Sequence, residues 1–439
     1  MRKLKVCLAV LIIAMMMGGS AWAFNDVDHI KVAPNGKGDM LIFPYYFAYP
    51  GDYSTKITVI NTSSTQSVVA KVTYRTFNWS VEVLDHLIFL SPNDVWTGTL
   101  VNVNGVARLQ SNDDSILGRM PSGTAVAADS DFANITPVDR AFEAPTCTDD
   151  ANTMGYIEVI EAASRVESKA ATGYEPGQRV AKRHIYDWYY NYVTNTTIQN
   201  GPYSPVNVLT GYQENTFGWG YTLKQANVFA DYFNFYKLDL TDTTYIGQNA
   251  NNTMAEVEAA MGKLAISLPY IAKANGDTSV HIFNFPTKQS LRNVASTCSY
   301  YRVNPDSPYW LLVNSKCESY TRNIYDLSEN TPVGTTDPFS PPKKASQLIM
   351  CGEVEFNIQA ASDPAYSEGW IRYTHGNAAS VKNGLTKSGV PISYTGIPVL
   401  TSVLFWSVER DNPAEANAAY TDGVVKFANV VVPYYQYSE

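Results

Sequence analysis

The sequence predicts a mainly β protein, immunoglobulin-like β-sandwich layers with a mixed α/β insertion and long loops. Three observations lead there. Short runs of alternating polar and apolar residues recur from Gly38 to Leu109 and again from Val280 onward. The chain holds 30 Tyr, 17 Phe and 8 Trp, and aromatic and β-branched side chains suit pleated, half-buried surfaces. Clusters of Asn, Ser, Pro and Gly separate the runs at strand spacing.

The elements follow in order. Met40-Leu41-Ile42-Phe43 leads into Pro44-Tyr45-Tyr46, and Lys56–Asn61 alternates as a half-buried strand does, closed by Thr62-Ser63-Ser64. Val68–Tyr74 places Val68, Ala70, Val72 and Tyr74 on one face. Val81–Leu84, His86–Leu90 and Trp96–Val101 follow, and residues 110–150 read as a long surface loop. Gly155–Ile160 is a further strand. The pattern then turns helical: Gln178–Tyr192 spaces Val180, Ile185, Trp188, Tyr189 and Tyr192 roughly as a helix face, and Thr253–Lys263 opens with a Thr cap and Glu256 in capping-box position. Strands resume at Val280–Phe285, Val354–Ile358, Gly369–Tyr373, Val399–Trp406 and Val424–Val432, with Asp326–Lys344 as a loop. These readings divide the chain into a signal peptide (1–23), an N-terminal β region (24–160), a mixed insertion with short helices (161–275) and a C-terminal β region (276–439).

The division at residue 23 has its own chemistry. Arg2, Lys3 and Lys5 precede an apolar run from Val6 to Met17, then Gly18-Gly19-Ser20, then Ala21-Trp22-Ala23. That order is a secretory signal with cleavage between Ala23 and Phe24. The run is shorter than the about 20 residues a membrane-spanning helix needs, and no later stretch reaches that length, so the mature chain is expected to lack a transmembrane helix. The signal carries three of the 32 basic residues, leaving 29 against 41 acidic ones and a mature net charge of −12. A chain this acidic repels phosphate backbones and excludes nucleic acid as a partner class. Four cysteines remain after cleavage, Cys147, Cys298, Cys317 and Cys351, and an even number in an exported chain predicts two disulfides. Three pairings are open. The turn signal Asn304-Pro305-Asp306-Ser307-Pro308 favours Cys298–Cys317, which leaves Cys147–Cys351.

Reactive constellations are sparse. His29, His86, His184, His281 and His375 form no HExxH and no pair at metal-ligand spacing, and no G-x-S-x-G elbow, phosphate loop or dinucleotide fingerprint occurs. Two carboxylates could flank a glycosidic bond, and the candidates are Glu158 with Glu161, and Glu353 with Glu355 on one strand face. Calcium is the one cofactor the sequence raises, through the loop carboxylates of Asn112-Asp113-Asp114, Asp129-Ser130-Asp131 and Asp149-Asp150, though none has EF-hand spacing.

Several stretches occur in an order that carries a likeness: Phe43-Pro44-Tyr45-Tyr46 with Val59-Ile60-Asn61-Thr62, Leu90–Trp96, Gly155–Glu161, Phe285-Pro286-Thr287-Lys288 and Tyr394–Val399. Through them the chain resembles a loose family of exported proteins of Gram-negative bacteria described as surface-layer-like or cell-surface proteins. The resemblance implies a surface or envelope location and assigns no catalytic residue. The expectation is therefore a non-enzymatic cell-surface or envelope structural protein, outside the cytoplasm, associating with its own copies or with envelope components. A carbohydrate-binding or carbohydrate-active secreted protein is the alternative, with Trp188 and Trp219 as stacking platforms for a glycan. An outer-membrane β-barrel is the second alternative.

Overall fold

A computed structural model describes residues 30–51, 53–116, 138–145, 147, 150–169, 173, 175, 179–194, 206–217, 220–231, 253–263, 265–272, 278–287, 318–326, 346–350, 352–359, 367–375, 381–385, 391–395, 397–409 and 424–428. The chain is mainly β, with 24 strands and two helices among the described residues. Every strand pairing there is antiparallel.

Four sheets do the packing. The central sheet has the order β1 (Lys31–Val32), β12 (Asn227–Ala230), β2 (Met40–Phe47), β9 (Met154–Val166), β4 (Gln66–Thr76), β5 (Glu82–Leu90). A front sheet runs β11 (Gly220–Gln225), β10 (Leu209–Phe217), β3 (Tyr53–Asn61), β6 (Val95–Val103), β7 (Val106–Ser111), β8 (Val138–Ala141). The third sheet is β18 (Val354–Ile358), β15 (Thr278–Asn284), β23 (Leu400–Glu409), β24 (Val424–Ala428). The back sheet is β14 (Ala265–Ile271), β19 (Glu368–His375), β16 (Glu318–Asp326), β17 (Ser346–Met350). Two small ribbons complete the set: β13 (Gly262–Lys263) with β22 (Ile397–Pro398), and β20 (Val381–Leu385) with β21 (Pro391–Thr395).

Side-chain alternation stacks the sheets. Leu41, Phe43, Val68, Ala70, Val72, Tyr74, Ile157 and Val159 of the central sheet meet Ile57, Val59, Trp96, Leu100 and Leu109 of the front sheet in one core. The opposite face of the central sheet, through Met40, Ile42, Val69, Phe89, Tyr156 and Ile160, packs on Val280, Ile282, Val354, Leu400 and Leu404 of the third sheet. Helix α1 (Lys182–Thr194) and helix α2 (Thr253–Met261) cover the rest of that face through Ile185, Tyr189, Val257 and Met261. Phe283 and Val403 turn the other way and form a third core with Ile266, Leu268, Tyr270, Tyr320, Ile371 and Tyr373 of the back sheet. The central sheet is thus covered on both faces, and β2, β4 and β9 are buried along nearly their whole length. Such two-sided burial is the usual condition of parallel sheets and less common for antiparallel ones.

Pro44 sits inside β2, where it cannot donate to the ladder. The β2–β9 register shifts between Phe43 and Tyr46, as a β-bulge does. The shift reverses the parity: Met40 and Ile42 share a core with Tyr45 and Phe47, while Leu41 and Phe43 share the other with Tyr46. Buried amides take the carbonyls at the bulge. Asn284 Nδ2 donates to Pro44 O at 3.1 Å and Gln213 Nε2 to Tyr45 O at 2.8 Å, binding the central sheet to its neighbours on either side. Beside the bulge, Gly155 passes so close to β4 that a Cβ there would lie 1.8 Å from Arg75 O.

Several expectations are adjusted. The loop expected over 110–150 contains β8, paired with β7. Segment 161–275 supplies both helices and also β10, β11 and β12, which lie in the front and central sheets. Strands β16 and β17 occupy a stretch where no strand is expected from the sequence. Glu256, placed for a capping box, accepts from Ile30 N at 2.9 Å through Oε2. No helix among the described residues is long and apolar enough to cross a membrane.

Candidate functional site

The central sheet carries a cluster of charge on its third-sheet face. Along β4, the residues alternating with the front-facing Val68, Ala70, Val72 and Tyr74 are Val69, Lys71, Thr73 and Arg75, all buried. Thr73 lies opposite Asp85 on one side and Glu158 on the other. Arg75 Nε donates to Glu158 at 2.8 Å, with side-chain exposures of 0% and 1%, and its Nη2 lies 3.8 Å from Glu82. Lys71 pairs with Asp85 at 2.8 Å. Tyr156 and Ser80 share a hydroxyl hydrogen bond at 2.8 Å. Burial pushes the Tyr156 hydroxyl well above its ordinary range, and the nearby Glu158 and Glu353 add to the effect.

Three of the sequence-selected carboxylates, Glu158, Glu161 and Glu353, are therefore buried in the interior. Glu158 is held by Arg75. Glu161, 1% exposed, accepts from Val206 N at 2.8 Å, and burial with the neighbouring Asp39 drives its carboxyl well above the usual range. Glu353 is fully buried while Glu355 is half-buried, so the two do not line one open cleft. Glu353 sits immediately before β18, its backbone N–H donating to Phe77 O at 2.9 Å and its carbonyl accepting from Phe285 N at 2.8 Å.

The loop acids hold N–H and O–H donors. Asp113 accepts from Thr97 N at 3.1 Å and Ser115 N at 2.8 Å. Asp114 pairs with Arg179. Asp150 accepts from Thr76 Oγ1, from Asn78 N at 3.2 Å and from Ala151 N at 3.0 Å. These contacts are turn chemistry, and among the described residues no group of three or more His, Cys, Asp or Glu could hold a metal ion. Residues Asp129, Asp131 and Asp149, like Ala23, Phe24, His29, Trp219, Cys298, Cys317 and Cys351, lie outside the described residues. Cys147 is 1% exposed and packs with Trp79 and Val81.

Two histidines sit between layers. His281, fully buried, meets Pro269 O at 2.9 Å through Nε2 and Tyr373 Oη at 2.6 Å through Nδ1. A carbonyl only accepts, so in the neutral ring Nε2 carries the proton and Tyr373 donates to Nδ1. Burial holds the pKa of His281 down at about 4, from the ordinary 6.5. His86, beside Tyr74 and Trp96, is held at about 4 by the same cause. The sign follows. Below pH 6.5 the unfolded chain takes up a proton that the native state refuses, so stability falls with pH from about 6.5 to about 4. The full drop at His281 corresponds to roughly 3 kcal/mol. Urea unfolding from pH 7 to pH 4 is expected to show a shallower decline in His281→Gln than in the natural sequence. Equal declines would remove His281 from the account.

Of the two tryptophans chosen as platforms, Trp188 packs against the core beside Tyr189, and the Arg165 guanidinium lies 4.9 Å over its ring. A different aromatic pair lies on the outer side of the back sheet, where Tyr325 and Trp370 stand directly opposite on β16 and β19. Their rings stack at 3.9 Å between centroids, 12° from parallel. Sequence reading missed them because Tyr325 closes a strand next to a Pro-rich loop. The density of Tyr, Thr and Ile over Tyr320–Tyr325 is the signal that could have found it. No protein-family model, curated protein or solved structure matches the chain.

Proposed function

We propose that this chain is a non-enzymatic, exported cell-surface or envelope protein that works through its β-layered body and associates with its own copies. The observation that carries this reading is the placement of the reactive side chains. Glu158, Glu161, Glu353, His86 and His281 lie between layers, engaged by other groups of the fold or enclosed by the core, where their charge and hydrogen bonding organise packing. The export signal and the resemblance to surface-layer-like proteins support the location. Two-sided burial of the central sheet favours a layered body over an outer-membrane barrel, whose outer wall must meet lipid. Self-association has a physical route, since among the described residues an edge strand such as β17 pairs on one side only.

Immunoglobulin-like topology belongs to the same proposal, supported by the repeated passage of the chain between front and central sheets from β2 to β3, β3 to β4 and β5 to β6. So does the Cys147–Cys351 disulfide. Glu353 N and Val354 N both donate to Phe77 O, at 2.9 and 2.8 Å, and Trp79 and Val81 pack on Cys147, so the chain beside position 351 runs close to it. This bond would join the N-terminal and C-terminal β regions across a long loop, the arrangement that most restricts an unfolded chain.

Cell fractionation with N-terminal sequencing tests the reading. The expected result is a protein outside the cytoplasm that begins at Phe24 and forms ordered assemblies under the electron microscope. Recovery from the cytoplasm with residue 1 intact would overturn it. A second reading, carbohydrate binding, is favoured by the Tyr325–Trp370 stack.

A further inference from the structure

We infer that the outer face of the back sheet binds acidic glycans, Trp370 and Tyr325 receiving the sugar ring and Arg372 its carboxylate. The inference rests on the carbohydrate-binding reading and names the ligand class. In β14, β16 and β19 the residues Ile266, Leu268, Tyr270, Tyr320, Ile371 and Tyr373 face the core. Their sequence neighbours therefore face outward. Strand register arranges these neighbours in rows. Pro269, Trp370 and Tyr325 form one row, and Ser267, Arg372 and Asn323 form the next. A row across three strands spans about 10 Å, and successive rows on one face lie about 7 Å apart. An aromatic and apolar row thus runs directly beside a row of hydrogen-bonding groups.

The polar row is uncommitted. Ser267 and Arg372 are exposed, and among the described residues Ser267, Arg372 and Asn323 form no side-chain hydrogen bond or ion pair. In a chain with more acids than bases, an arginine on a strand without a carboxylate partner is available to one that comes from outside. Guanidinium fits a carboxylate bidentately. The apolar C–H side of a pyranose fits the face of Trp or Tyr. Ser267 and Asn323 remain for ring hydroxyls. Arg372 is the single cation in the two rows, which is too little charge for a nucleic acid. The surface is one face of a sheet, where small metabolites prefer a concave pocket, so it suits an extended oligosaccharide. Pro269 on the edge strand β14 also guards against capture of a peptide by strand addition.

Titration calorimetry of the full mature chain, with tryptophan fluorescence as a second readout, compares an oligogalacturonate with a cello-oligosaccharide of equal length. The oligogalacturonate is expected to bind at least tenfold more tightly, and added salt to weaken it. Arg372→Ala should weaken that binding about tenfold or more without changing thermal unfolding, and Trp370→Ala should weaken both sugars. If Trp370→Ala fails to fold, Arg372→Ala and Tyr325→Ser carry the test. Equal binding of the neutral sugar, or an Arg372→Ala variant with unchanged affinity, overturns the acidic class while a Trp370-dependent signal keeps the carbohydrate reading. Absence of binding to both sugars overturns that reading as well.

Discussion

Replacing Arg75 with alanine is expected to destabilise the protein by about 3–5 kcal/mol, seen as a lower urea midpoint with the slope retained. The side chain has no exposed surface, donates to Glu158 at 2.8 Å and reaches Ser80 O at 3.4 Å. Burial works against its charge. Attraction to Glu158, Tyr156 and Glu82 outweighs this and holds the guanidinium more firmly protonated than usual. Removing it strips the buried Glu158 carboxylate of its cation, and an interior charge without its counterpart is one of the few single changes with an effect this large. The double variant Arg75→Met with Glu158→Leu separates ion pairing from packing. It removes both charges, so it should be clearly more stable than Arg75→Ala alone. If the double variant is no better than the single one, the loss comes from the shape of the side chains, and the ion-pair account fails.

Trp96→Ala should cost a comparable amount, about 3–5 kcal/mol. Trp96 is fully buried on β6, and its indole fills the space between the front and central sheets beside His86, with ring centroids 5.2 Å apart. Gly98 makes the room: a Cβ there would come within 2.7 Å of the Trp96 ring and 2.9 Å of Leu109. The layers on either side are themselves hydrogen-bonded sheets, which close poorly over a lost indole, so most of the cavity should persist. Trp96→Phe keeps an aromatic ring and should lose markedly less. Denaturation midpoints of the two variants decide the matter, and a Trp96→Ala loss near 1 kcal/mol would show that the sheets can collapse together.

Much of the layering is legible in the chain. Val68, Ala70, Val72 and Tyr74 mark one core face of β4 without ambiguity, and β15, β18, β19 and β23 fall where alternation puts them. The other face of β4 is not legible. Nothing local shows that Lys71, Thr73 and Arg75 are buried, because polarity alone does not reveal a partner, and Glu158, the partner of Arg75, lies 83 residues away. The burial of Glu158 and Glu353 is hidden for the same reason. Glu158 and Glu353 had the right chemistry for a cleft and lie instead between layers. The contact of Trp188 with Arg165 is likewise hidden in the sequence, since the two lie on different elements.

The sequence by itself determined the β character, the faces of the main strands and both helices, because periodicity and composition are local properties of the chain. The tertiary structure decided that the central sheet is covered on both sides, that β2 reverses its parity at Pro44, and that Pro269, Trp370 and Tyr325 share a row. Each of these depends on strand register, and register is set by which distant segment supplies the matching surface.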